Sequence, residues 1–320
     1  MTITDSPLFL LIKAARPKQW LKNFALYAAL IFSGFFFYQP SDGPAYFWLV
    51  SYAFFIFCLL TSSVYLLNDI IDIKADRAHP FKKHRPLASG KLSVALAAGT
   101  AIVGLAAVAL LSIPLPRFFK LLLATYLVLQ LLYSTKFKQI AILDILSIAG
   151  GFLIRVYAGA VVVNLHMSVW FLLTVISMSL FLAVGKRQSE RTLMTNNQLK
   201  FSRKSLNKYS VRLLDQYTSM FATASWLTYA IFTFQNSPGT GLSLFYERFP
   251  QLAVTLPRTL QSQKLLMLTL PFVILGVMRY LQLIYEDNRG EAPVDVLLKD
   301  KFLLITVFIW LLTVMFVIYA

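Results

Sequence analysis

Three carboxylates, Asp69, Asp72 and Asp76, stand three and four residues apart in the run NDIIDIKADR that begins at Asn68. On a helix, steps of three and seven residues from Asp69 turn by roughly 300° and 700°, so all three share a narrow arc of one face. Carboxylates this close raise one another's proton affinity unless a cation lies between them. Hard oxygen ligands with open positions suit Mg²⁺ bound to a phosphorylated substrate, and Asp69 and Asp72 are the expected metal ligands. Arg77, Lys82, Lys83, Arg85 and Lys91 follow at once and, with Asn68, supply anion-binding groups beside that metal. An ordinary solvated helix end would explain the carboxylates but not the basic surround. At such an end the carboxylates are expected to face solvent, so neutralising one should cost little stability.

A second polar cluster, Gly185-Lys-Arg-Gln-Ser-Glu190, follows the apolar run 168–184. Lys186 and Arg187 can hold a further anionic group, Arg as a bidentate fork and Lys as a point charge. A positive-inside anchor is the competing reading. Glu190 is expected to orient one of these cations and not to touch metal. A third cluster, RPKQWLKN from Arg16 to Asn23, puts Lys22 and Asn23 inside a span, where each needs a partner, while Trp20 suits an interfacial anchor. A fourth runs from Tyr133 to Lys138 and precedes Asp144. Asp144 and Arg155 are ionisable groups within a span, which are costly and as a rule functional or paired. They are separated by about 16 Å of helix rise, so they are not expected to pair with each other. His79, His84 and His166 have no metal-ligand spacing. The absence of a Ser-His-Asp set, a Walker loop and GxGxxG argues against hydrolase and nucleotide-fold chemistry.

The elements that must position these groups are membrane helices. With 58% hydrophobic residues, 27 Phe and a mean hydropathy of +0.67, the chain is too apolar for a soluble domain. An all-α polytopic membrane protein is expected, with nine transmembrane helices near 20–38, 45–67, 94–113, 117–135, 140–162, 168–186, 215–235, 265–285 and 302–320. Helices 1 to 4 and 5 to 8 look like two similar halves with a ninth appended. The long loops 68–93 and 187–214 would then bring two polar clusters to corresponding corners, capping the active site of one domain over residues 1–320.

Most of the 30 basic residues fall on one side of this layout. That asymmetry places the N-terminus, both long loops and the acidic motif in the cytoplasm of a cell with the protein in its inner (plasma) membrane. The formal net charge of +16 is explained by orientation and by phosphate-bearing lipids or substrates, so no nucleic-acid partner is implied. Cys58, in an apolar run, excludes disulfides and Cys-based metal sites. Residues 1–12 lack a signal-peptide pattern, and the first helix is expected to be retained. The outer segment 236–264 has apolar residues suited to an interfacial helix. A homo-oligomer is compatible with all of this.

NDxxDxxxDR followed by RPLxxG from Arg85, at the end of the second of nine helices, resembles the UbiA superfamily of intramembrane prenyltransferases. The resemblance extends over essentially the whole chain. Members usually carry a second Asp-rich motif after helix 6 that binds diphosphate with a second Mg²⁺; this chain has GKRQSE instead. That segment, RPKQWLKN, YSTKFK and the helix-5 run DILSIAGGFLIRVYAGA are similar to the decaprenyl-phosphate phosphoribosyltransferase branch. The branch implies phosphoribosyl diphosphate (PRPP) as donor and a polyprenyl phosphate as acceptor, with Mg²⁺ as cofactor. PRPP carries a diphosphate and a separate 5-phosphate, and the acceptor carries one phosphate more. Lys186 and Arg187 in place of the second Asp motif, with Lys22, Lys138 and the 82–85 cluster, supply the extra cations. Asp76 and Asp144 would position water, ribose hydroxyls or basic side chains. Tyr133, Arg77 and Arg155 complete the expected substrate-binding set, Arg155 with a structural pair as its competing role. Two rivals remain: a prenyltransferase moving the lipid from its diphosphate to a small acceptor, opposed by the missing second Asp motif, and a polyprenyl-phosphate carrier, opposed by the clustered carboxylates.

Overall fold

The computed structural model describes residues 6–78, 82–193, 205–236, 264–286 and 293–319, and among these it is built from helices without a strand. In chain order they are α1 (Pro7–Ala15), a 3₁₀ segment (Pro17–Leu26), α2 (Tyr27–Phe32), α3 (Tyr46–Ile71), α4 (Ile73–Ala78), α5 (Val94–Leu111), α6 (Arg117–Thr135) and α7 (Leu143–Val162). There follow α8 (Val169–Leu193), α9 (Val211–Gln235), α10 (Leu270–Tyr285), α11 (Pro293–Lys299) and α12 (Lys301–Tyr319). Hydroxyl caps start several of them: Ser6, Ser93 and Ser210 each accept a hydrogen bond from the backbone N–H three residues on.

Among the described residues, seven helical stretches are long and apolar enough to cross a bilayer: α3, α5, α6, α7, α8, Leu265–Tyr285 and α12. The chain is a multi-pass membrane protein. Two expected spans look different. Residues 20–38 are not one α-helix; the 3₁₀ segment carries Lys18, Gln19, Lys22 and Asn23, and its polar groups reach across to α3. Trp20 Nε1 donates to Ser62 Oγ at 2.9 Å, so this indole is tied to α3. The other is α9, which is long but opens with Arg212, Asp215 and Gln216, lowering its hydropathy.

The long inner connections are shorter than expected because helices run on into them. In α8 the residues up to Leu193 contain neither Gly beyond Gly185 nor Pro, and α9 begins at Val211 on its Ser210 cap. His79 and Pro80, residues 194–204 and nearly all of the expected outer segment, 237–263, lie outside the described residues.

The chain divides into two compact units, the division falling after Leu165 and not between the fourth and fifth expected helices. The first comprises Met1–Ala28, Gln39–Leu165 and Met194–Tyr209. Close approaches hold α7 there: a Cβ on Gly159 would lie 1.8 Å from the Leu26 carbonyl oxygen, so only glycine fits. A Cβ on Gly104 of α5 would likewise lie 2.2 Å from Ser63 Oγ of α3. Leu10, Ala14, Leu66, Leu87, Leu92, Ala97 and Ala101 form one buried cluster, which pins the loop after Arg85 to α1, α3 and α5.

The second unit comprises Ala29–Tyr38, His166–Leu193 and Ser210–Ala320. Phe181, Ala222, Val277, Tyr280, Leu283, Ile284, Val296 and Leu303 form its core. Its polar ties include Tyr229 with Thr269 at 2.6 Å, Trp310 Nε1 to Tyr229 at 3.0 Å, and an ion pair of Arg279 with Asp300 at 2.7 Å.

Candidate active site

The acidic motif sits where α3 breaks. Asp72, at φ −91° and ψ 1°, leaves the helix between α3 and α4, so the three carboxylates do not lie on one continuous helix. Asp69 and Asp76 are buried at 3% and 4% exposure, and Asp72 is half-buried. The expectation of solvent-facing carboxylates therefore fails for Asp69 and Asp76, because the loop after Arg85 folds back over the helix end.

Each carboxylate is held by a basic side chain of the same unit. Arg85 Nη1 donates to both Asp69 at 3.2 Å and Asp76 at 2.6 Å. Arg16 Nη2 also donates to Asp69, and Lys138 Nζ donates to Asp72. Arg16 is aimed by its backbone, whose φ of 55° is left-handed and turns the chain between α1 and the 3₁₀ segment. Its guanidinium stacks 4.9 Å from the centre of the Tyr65 ring. Burial draws the Arg16 pKa below its usual value, while Asp69 pushes back. Guanidinium groups keep their proton in proteins, so Arg16 stays a cation.

Around this core, Asn68 Oδ1 accepts from the Ser134 hydroxyl. Arg77 is exposed and its Nε donates to the Ala88 carbonyl at 3.2 Å, bracing the loop. Lys82, Lys22 and Tyr133 are half-buried, and Lys83 is exposed.

Asn23 and Arg155 find the partners that buried polar groups need. Arg155 Nε donates to Asn23 Oδ1 at 2.8 Å, Nη1 to the Gly151 carbonyl at 2.7 Å and Nη2 to Tyr126 Oη at 2.7 Å. Asn23 Nδ2 reaches Cys58 Sγ and Thr61 Oγ1, both at 3.3 Å. Asp144 is not in this network, in accord with the separation read from the sequence. It is fully buried and accepts from Tyr209 Oη at 2.7 Å, Ser205 Oγ at 3.2 Å and its neighbour's N–H, Ile145, at 2.9 Å.

On α8, in the second unit, Glu190 pairs with Arg187 at 2.5 Å and with Lys186 at 3.9 Å. Arg187 is fully buried and Lys186 half-buried. Gln188 Nε2 donates to Asp215 at 2.6 Å, and Asp215 also accepts from Tyr285 at 3.0 Å. Gln188 Oε1, Ser189 Oγ and Tyr280 Oη are buried polar atoms with no hydrogen-bond partner among the described residues.

Among the described residues no group of three or more carboxylate, His or Cys side chains could hold a metal ion by itself. Asp69, Asp72 and Asn68 nonetheless form a set of hard oxygen donors at one helix end, and Mg²⁺ is commonly bound by one or two carboxylates plus substrate phosphates and water. The donor set fits an ion that arrives with its phosphate.

Arg16, Ser134, Tyr126, Ser205 and Tyr209 were not among the expected site residues. Arg16 and Ser134 lie in segments the sequence had marked. Ser205 and Tyr209 gave no signal, being hydroxyls in a basic loop far along the chain.

The UbiA prenyltransferase family matches residues 25–312, and the chain belongs to that family of membrane transferases. It is 38% identical over 310 residues to the decaprenyl-phosphate phosphoribosyltransferase of Mycolicibacterium smegmatis, across 95% of this chain and 91% of that protein. It is 33% identical over 320 residues to the protein of that name from Corynebacterium glutamicum, across 97% and 86%. A UbiA homolog from Archaeoglobus fulgidus, solved bound to DMAPP and Mg²⁺, has the same fold, with a TM-score of 0.63 at 16% identity over 96% of this chain and 98% of that one.

Proposed function

We propose that the chain transfers the 5-phosphoribosyl group of PRPP to a polyprenyl phosphate and releases diphosphate, with Mg²⁺ as cofactor. The observation that carries it is the near full-length identity, 38% and 33%, to two enzymes named decaprenyl-phosphate phosphoribosyltransferase. The second corner agrees with it, because its formal charge is basic at Lys186 and Arg187 with Glu190 as their counter-ion.

In the reaction the C1–O bond to diphosphate breaks, the diphosphate keeps the electron pair, and an oxygen of the lipid phosphate forms the new bond to C1. The acceptor is already an anion, so no strong general base is required. Mg²⁺, when bound through Asp69 and Asp72, supplies charge neutralisation to the leaving diphosphate. Arg16, Arg85 and Lys138 sit on the same carboxylates and can turn to phosphate oxygens, keeping the pocket close to neutral as the anions enter. Asp76 keeps Arg85 aimed at that place. Asn68, Arg77, Lys22, Lys82, Lys83 and Tyr133 line the approach of the donor and the lipid head, while Lys186 and Arg187 take a further phosphate, aligned by Glu190. Arg155 and Asn23 serve by fixing the 3₁₀ segment that follows Arg16.

The same proposal includes nine spans in one transferase domain over residues 1–320, in the inner (plasma) membrane with loops 68–93 and 187–214 in the cytoplasm capping the site. Single cysteines at Lys83 and Lys208, both exposed, in a Cys58-free variant should resist an impermeant thiol reagent in intact cells and react after lysis. Labelling from outside would reverse the orientation. Product analysis with PRPP against a polyprenyl diphosphate plus an aromatic acceptor tests the reaction itself.

A further inference from the structure

We propose that Ser205 and Tyr209, joined through Asp144, are positioning residues that fix the peptide carrying Lys138 and so set the basic partner of Asp72. This inference rests on the donor-binding role given to Lys138 above.

The three residues form one hydrogen-bonded knot within the first unit. Ser205 Oγ lies 2.8 Å from the Lys138 carbonyl oxygen, to which it donates, and 3.2 Å from Asp144 Oδ2. Tyr209 Oη donates to Asp144 Oδ1 at 2.7 Å and accepts the Ile142 N–H at 2.5 Å. All three side chains are buried, at 0%, 2% and 0% exposure for Ser205, Tyr209 and Asp144. Leu206, between Ser205 and Tyr209 in the chain, is buried as well, at 2%.

What this knot holds is a strained reversal. Ile142 has φ 72° and ψ −50°, a positive-φ backbone conformation that a β-branched residue avoids. The turn of Phe137–Gln139 before it carries Lys138, and α7 begins immediately after it with Asp144 in its first turn. Such a conformation persists when its surroundings over-determine it, and here the Tyr209 hydroxyl takes the Ile142 N–H while Asp144 takes the hydroxyl proton. The Lys138 carbonyl is fixed by Ser205, and its ammonium points to Asp72. Through this short path residues more than sixty positions further along the chain bear on the acidic motif. Asp144, whose Oδ1 accepts from Tyr209 and the Ile145 N–H and whose Oδ2 lies against Ser205 Oγ, acts through Lys138 and not on the substrate.

The test is a KM-against-kcat split in the purified membrane protein. Ser205→Ala and Tyr209→Phe should each raise the KM for PRPP about tenfold, with kcat of the folded fraction within about twofold. Ser205→Thr, which keeps the hydroxyl, should restore the wild-type KM. Lys138→Gln should raise KM too, and adding Ser205→Ala to it should change KM by less than about twofold, because the two changes remove one interaction. Unchanged KM with a lower yield of folded protein, or full additivity with Lys138→Gln, would overturn the proposal. Affinity for Mg²⁺ with inorganic diphosphate, measured by calorimetry on the same variants, separates it from the donor assignment. A wild type that ignores PRPP would refute the donor, while the diphosphate affinities would still support or overturn the knot by the same pattern of rescue and non-additivity.

Discussion

Asp72→Asn is expected to lower turnover on the order of a thousandfold and leave the fold intact, the scale of losing a group that stabilises charge at the reacting centre. Asp72 is half-buried where Asp69 and Asp76 are buried, which makes this the cleanest of the acidic substitutions. Asp72 side-chain exposure is 29%, and it is ion-paired with Lys138, a flexible ammonium that can turn to water when the partner is lost. Asp69→Asn should lose activity to a similar degree and also lower the melting temperature. Its carboxylate is 3% exposed and is shared by Arg16 and Arg85, so neutralising it takes the charged partner from Arg16 and leaves Arg85 with Asp76, at a cost of about 1–3 kcal/mol. Thermal melting in detergent beside kcat for both variants separates the two effects. Near-normal Mg²⁺-dependent activity in Asp72→Asn would remove the metal from this place.

Replacing Lys186 and Arg187 together by Asp is expected to abolish use of PRPP, because a substrate with several negative charges would then meet added carboxylates. Arg187→Ala should cost roughly 2–4 kcal/mol of transition-state binding, as for a charged partner lost in a partly dry site. The structure sharpens what this experiment must control. Arg187 is fully buried and paired to Glu190 at 2.5 Å, so its removal also leaves Glu190 with the Lys186 contact at 3.9 Å. Lys186→Ala, at a half-buried position, is the companion variant. If both variants keep the wild-type kcat/KM for PRPP, the phosphate-binding role of this corner is wrong.

How much of this could be read from the chain depends on the range of each interaction. The helices announce themselves because a bilayer demands long apolar runs, and α3, α5, α6 and α7 begin and end within a few residues of where the runs do. Residues 17–26 could not be read that way. Their shape is dictated by what Asn23 and Trp20 meet on α3 and α7, far away in sequence. The same holds for the site. The spacing of Asp69, Asp72 and Asp76 is local and legible, and so was the need of Asn23 and Arg155 for partners, though not that they would find each other. The break at Asp72 was not legible, since it follows from the loop after Arg85 folding back so that one guanidinium serves two carboxylates. Ser205 and Tyr209 are the extreme case: nothing in a hydroxyl's neighbours says that it will close on a turn more than sixty residues earlier.

The most direct test of the phosphoribosyl assignment is to incubate the purified protein with PRPP labelled in its ribose, a polyprenyl phosphate and Mg²⁺, and to follow the label into the lipid fraction. Phosphoribosyl transfer predicts a labelled, phosphate-bearing polyprenyl product formed with equimolar diphosphate, lost on chelation of the metal and absent with Asp72→Asn. A lipid fraction that stays unlabelled, while the same preparation joins a polyprenyl diphosphate to an aromatic acceptor, would contradict it.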